Sequence, residues 1–169
     1  MRYFSLKSLA FCMVLITASS ASAQQMVRAD SVAAGAIWAQ KLSVTESVTY
    51  CEAYVAKPVK ELLAVVLENW TAKNDKYLRI TDIIRGEIVK AVTAASGEGE
   101  AMKFVNSWGE RDKVARARVR AGLDQMPADS REGKCYGIIK AINEGKFDIG
   151  TSLPEDAKHL DARAPVMGW

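Results

Sequence analysis

His159 is the only histidine in the 169-residue chain, so any Ser–His–Asp or Cys–His apparatus would have to be built on it. Glu155, Asp156 and His159 fall at helical spacing and could hold a metal. One histidine beside two acids is a sparse ligand set, and acids there equally favour the positive end of a short helix. Glycoside hydrolysis needs only two carboxylates. Glu98 and Glu100 flank a glycine joint that fixes no separation, and Glu61 and Glu68 stand two turns apart on one helix face. None sits in an apolar setting that would raise its pKa. No catalytic set, metal site or cofactor site emerges from these residues.

Binding chemistry is better represented. The densest charge cluster runs from Arg111 to Arg120, and on a helix Lys113, Arg116 and Arg120 share one side at i, i+3 and i+7. Such a stripe could grip a phosphate, an acidic lipid surface or an acidic partner protein. Its plainer reading is a solvated face opposite Ala115, Val119 and Leu123. The chain ends Ala164-Pro-Val-Met-Gly-Trp169, and a terminal tryptophan must dock on the bundle or anchor in a partner. Trp70 and Trp108 fall on expected core faces, where burial explains them. Asn69-Trp70-Thr71 matches a glycosylation acceptor but lies inside an expected helix.

The compartment follows from the N-terminus. Arg2 and Lys7 precede an apolar run, Leu9 to Thr17, and Ala21-Ser22-Ala23 offers small side chains to a signal peptidase. The run is about half the roughly 20 apolar residues of a membrane anchor. Cys12 follows the bulky Phe11 and sits within the run, unlike a lipidated cysteine. Residues 1–23 therefore read as a cleavable signal peptide, with Gln24 opening a periplasmic or secreted protein that does not span a membrane. Cys51 and Cys135 are the two cysteines left. In an oxidising compartment they are expected to pair, since neither C-x-x-C spacing nor neighbouring histidines suggest redox or metal chemistry.

Cleavage removes two basic residues and no acids, so 23 basic and 20 acidic become 21 and 20, a net charge of +1. That balance lacks the footprint of a nucleic-acid binder. About 146 residues remain, enough for one domain with its own core. The 49% apolar and 25% charged composition is that of a globular protein.

Apolar residues recur at helical spacing almost throughout. A helix is expected over 30–42, then a capping box, Ser43-Val-Thr-Glu46, opens a second from Val44 carrying Val48, Cys51 and Val55. Pro58 suits the first turn of a third, with Leu62, Leu63, Val66, Leu67 and Trp70 as its stripe. A fourth spans 76–95, with Tyr77, Ile80, Ile84 and Ile88. Gly97-Glu-Gly99 is the clearest break. Beyond it, Phe104, Val105 and Trp108 lead into 111–126, and Pro127 ends that segment. The last long helix presents Cys135, Ile138, Ile139 and Ile142 and stops near Gly145. From Phe147 the chain reads as irregular, with Gly150, Pro154 and Pro165 as breakers and a short capped turn at Ser152–Glu155.

The expectation is a single all-α domain of five or six helices over 24–146, stapled by Cys51–Cys135, with an irregular tail over 147–169. The leading function is a non-catalytic module binding another envelope or exported protein, as an inhibitor, immunity or assembly factor. A carrier of a small apolar ligand between helices comes second, and an acid-based envelope hydrolase third. A closed core favours the first, an internal cavity the second, and a cleft with paired buried acids the third.

Overall fold

The computed structural model describes the backbone from Lys7 to Met167 and the side chains from Arg28 to Pro165. Trp169 and residues 1–6 lie outside the described residues. The fold is all-α among them: α1 (Lys7–Cys51), α2 (Lys57–Lys60), α3 (Leu63–Lys73), α4 (Asp75–Ser96), α5 (Glu98–Asp124), α6 (Arg131–Asn143), α7 (Ile149–Ser152) and α8 (Pro154–Arg163). Six of these have ten residues or more; α2 and α7 are single turns. Among the described residues, no helix is long and apolar enough to cross a membrane.

α1 is the hub. No residue from Lys41 to Val48 is exposed, because α3, α4, α5, α6 and α8 all pack around this helix. Ile37, Val44 and Val48 join Leu63, Trp70, Ile80, Ile84, Ile142, Ile149 and Leu160 in one apolar core. The helix also runs unbroken through Ser43, where a new start was expected. Inside a continuous helix the amides after Ser43 already bond carbonyls four residues back, so no orphan donors await a cap. Glu46 is buried instead and turns to α5.

Three contacts set the register between α1 and α5. Trp38 Nε1 donates to Asp112 (2.9 Å), Arg120 bonds Glu46, and Tyr50 Oη donates to Asp124 (2.9 Å), each across 74 residues of sequence. A constant offset means that the two helices run parallel. α4 returns antiparallel to α5 through one residue, Gly97, whose φ of +83° a side chain would resist. The expected glycine joint is thus shorter than its sequence: Gly99 is already inside α5, and Glu98 and Glu100 lie in its first turn, where the helix dipole favours acids. At the other end, Arg131 donates to the carbonyls of Asp124 (3.1 Å) and Met126 (3.3 Å), covering acceptors left open where α5 stops.

Cys51 and Cys135 are both fully buried, with Cα atoms 5.4 Å apart and sulfurs bonded, joining the end of α1 to α6. α6 closes on Gly145 (φ +75°). Lys146 N–H reaches Ala141 C=O and Gly145 N–H reaches Ile142 C=O, the paired bonds of a Schellman ending. A Cβ on Gly145 would stand 2.5 Å from Asp148 Oδ2 and 3.0 Å from Lys73 Nζ, inside the Lys73–Asp148 ion pair. Gly145→Ala therefore meets both a left-handed backbone and a steric clash. It should cost about 2 kcal/mol in urea unfolding, whereas alanine at the helical, uncrowded Gly122 should be neutral or stabilising.

The segment from Phe147 onward differs from the irregular tail expected of it. It forms α7, α8 and a 3-10 turn at Ala164–Met167, and Ile149 and Leu160 are fully buried. Pro154 begins α8 rather than breaking a helix, since a first-turn residue needs no amide donor. The polar ties are numerous. Phe147 C=O accepts from Trp70 Nε1 (3.0 Å) and Gln40 Nε2 (3.1 Å). The buried Asn74 accepts from Ile149 N–H (2.8 Å) and donates to Trp70 C=O (2.7 Å). Lys76 meets Asp161 at 2.6 Å, a contact that holds its ammonium above the ordinary lysine value. Asp30, at the other end of the chain, lies 2.7 Å from His159 Nε2 and 2.9 Å from Arg163 Nε. The packed core thus continues past residue 146.

Candidate functional site

A cleft opens where α1, α4 and α5 meet. Its floor on α1 is built from small residues, Ala34, Gly35 and Ala39, and this is why the three helices leave space there. A larger apolar side chain at any one of these positions would take up part of it. Trp38 from α1 and Phe104 and Trp108 from α5 supply the walls, Ile88 and Leu42 the deeper apolar surface. The volume is about 380 Å³, within the roughly 300–1,000 Å³ typical of small-molecule sites. The periodicity of α5 explains the pair on its wall: Phe104 and Trp108 are one turn apart with ring centroids at 4.8 Å.

Charge is placed sparingly among these rings. The Arg85 guanidinium from α4 lies 3.7 Å from the Trp38 ring centroid and 4.5 Å from that of Trp108, so the cation is held between two indole faces. Lys41 also approaches Trp38, at 4.6 Å. Arg111 lines the cleft from α5 and bonds Ser107 Oγ at 3.4 Å. The single carboxylate of the lining, Asp112, accepts the Trp38 indole N–H.

The residues singled out in the sequence are distributed differently. Lys113, Arg116 and Arg120 do share a side of α5, yet they do not form one open stripe. Arg116 and Arg120 turn toward the buried Glu46 carboxylate, with Arg116 Nη1 3.4 Å from it, while Lys113 pairs with Glu110 one turn back (2.8 Å). The carboxylate on α1 draws the two arginines inward, and nothing in the spacing of α5 alone could signal that. His159 faces Asp30, away from a grouping with Glu155 and Asp156; among the described residues no three His, Cys, Asp or Glu side chains gather as a metal set. Trp169 falls outside the described residues.

Arg85 and Trp38 are the site residues that sequence reasoning passed over, and Arg111 entered it only as the start of the basic run. A signal existed for one wall: the run Ala33-Ala34-Gly35-Ala36 with Ala39 is unusually small for a central helix, and Trp38 interrupts it. The meeting of Trp38 with Arg85 and Trp108 needed the three-helix register.

Compared with known proteins, this chain matches no family model, no curated protein and no solved structure.

Proposed function

We propose that this protein is an exported binding protein that holds a small, largely apolar molecule between α1, α4 and α5. One observation carries the reading: Trp38, Phe104 and Trp108 converge on an open cavity of about 380 Å³ whose floor is alanine and glycine. Aromatic area left facing open space in a globular protein is the mark of a site awaiting a ligand. A hydrolase would need two acids converging in the cleft, and this lining contains Asp112 alone. Export is supported by the buried Cys51–Cys135 pair, which an oxidising compartment maintains.

A neutral apolar dye, N-phenyl-1-naphthylamine, tests this reading. Excited through the tryptophans, it should fluoresce on the native protein with saturable binding. Gly35→Leu should weaken that signal, because a Cβ at Gly35 meets nothing within 4 Å and a leucine there would occupy part of the cleft. The same change improves helix propensity, so the fold survives it. Unchanged dye binding in Gly35→Leu would rule the cleft out as the site.

A second reading, docking of another envelope or exported protein, draws on a separate surface. Leu62 and Val65 are 56% and 47% exposed beside a shallow groove lined by Val59, Val66, Tyr136 and Ile139, between α2–α3 and α6. Exposed apolar side chains of this size grouped on one face suit a partner. Leu62→Glu would remove such a partner without touching the cleft.

A further inference from the structure

The cleft's charge points to the kind of molecule it takes. Resting on the ligand-binding reading above, we infer that the ligand is an amphipathic anion: an apolar, ring-sized body carrying one carboxylate, sulfonate or phosphate group that meets Arg85. The guanidinium faces are covered by Trp38 and Trp108, at 3.7 and 4.5 Å, which strips water from them and leaves the N–H edge as its polar outlet. Among the described residues no carboxylate lies within ion-pair distance of that edge, in contrast to Arg116 and Arg120 on the same bundle, which share Glu46. A half-buried cation without a carboxylate partner is costly in isolation, and an anion entering the cleft would supply one.

The rest of the lining agrees in sign. The lining holds two guanidiniums, Arg85 and Arg111, and one carboxylate, Asp112, one oxygen of which already accepts the Trp38 N–H. The mature chain as a whole is close to neutral by sequence, so a cleft with two guanidiniums and one acid is a local positive field rather than a reflection of overall charge. The planar guanidinium offers paired donors to the two or three oxygens of such a group, which a lone ammonium would not. The ring surface that Arg85 leaves open, with Phe104 and the alanine–glycine floor, takes the apolar body. Selection is then double: a neutral molecule of the same shape leaves Arg85 unpaired, and a bare anion leaves the rings uncovered.

A matched pair of dyes separates the two claims. N-phenyl-1-naphthylamine and 8-anilinonaphthalene-1-sulfonate differ in one sulfonate, and both are titrated into the native protein by tryptophan-excited fluorescence. The sulfonate should bind about tenfold tighter or more. Arg85→Met, which keeps a flexible apolar chain between the indoles, should erase that preference while the neutral dye still binds. Arg111→Gln, at an exposed position that the fold does not depend on, should weaken the sulfonate by about threefold or more. Equal or tighter binding of the neutral dye to the native protein would overturn the anionic inference while leaving the cleft as a ligand site. So would an undiminished sulfonate preference in Arg85→Met or, should that variant not fold, in Arg111→Gln. Failure of both dyes to bind, or binding that Gly35→Leu does not reduce, would overturn both claims together.

Discussion

Replacing Cys51 and Cys135 together by alanine should lower the unfolding free energy by about 4–5 kcal/mol. The cysteines are 84 residues apart, and in the chain-entropy model a cross-link closing a loop of that size restricts the unfolded chain by about this amount. The loop contains α2, α3, α4 and α5, so nearly half of the protein gains freedom when the link is lost. Against an ordinary domain stability of about 5–15 kcal/mol, the loss decides whether the fold persists at body temperature. Urea unfolding of the native, reduced and double-alanine forms would measure it. The reduced and double-alanine proteins should agree within about 1 kcal/mol, because both residues are buried as small apolar groups and the effect lies in the unfolded chain. A loss below about 1 kcal/mol would show that α1 and α6 are held together by packing alone.

The second large effect concerns Glu46. Its carboxylate sits in the α1–α5 interface with 4% of the side chain exposed, accepting from Arg116 and Arg120, which are themselves 43% and 56% exposed. Truncating both arginines to alanine leaves an acid enclosed without a partner, and should cost about 3 kcal/mol. That figure is at the lower end for broken buried pairs, since water reaches the arginine ends and screens part of the interaction. Adding Glu46→Leu to the same variant should recover most of the loss, because the charge that needed a partner is gone. Urea midpoints of the double and triple variants give both numbers. If the triple variant is no more stable than the double, the arginine stems contribute by packing and the ion pair does not matter.

These two sites show unevenly how sequence translates into structure. The disulfide was legible because the expected signal peptide takes Cys12 and leaves two cysteines to pair. Most helices were legible from periodicity, and Pro58 and Gly97 marked real junctions. Ser43–Glu46 misled because a capping box is a local pattern, while the continuity of α1 is decided by five neighbouring elements packing around it. The tail misled for a related reason. Gly150 and Pro154 read as breakers until Trp70, Asn74 and Gln40 supply donors and acceptors from elsewhere, and Pro154 falls in a first turn where its ring fits. Glu46 and its arginines lie 70 and 74 residues apart, and the cleft joins residues from three helices. Such meetings follow from register, which a single chain read in one dimension does not specify.

The central place of α1 has a consequence for how the molecule is made. The helix around which α3, α4, α5, α6 and α8 pack is synthesised before any of them. Asp30 waits 129 residues for His159 and 133 for Arg163, and Cys51 waits 84 for its partner. Contacts so distant in sequence close late, since each must overcome the entropy of the intervening chain. The α4–α5 hairpin, folded about a single glycine, can form as soon as it emerges. Assembly thus runs inward from the hairpin, and α1 gains its full coat only when α8 arrives. A chain with that order of events stays open until its last helix has been made.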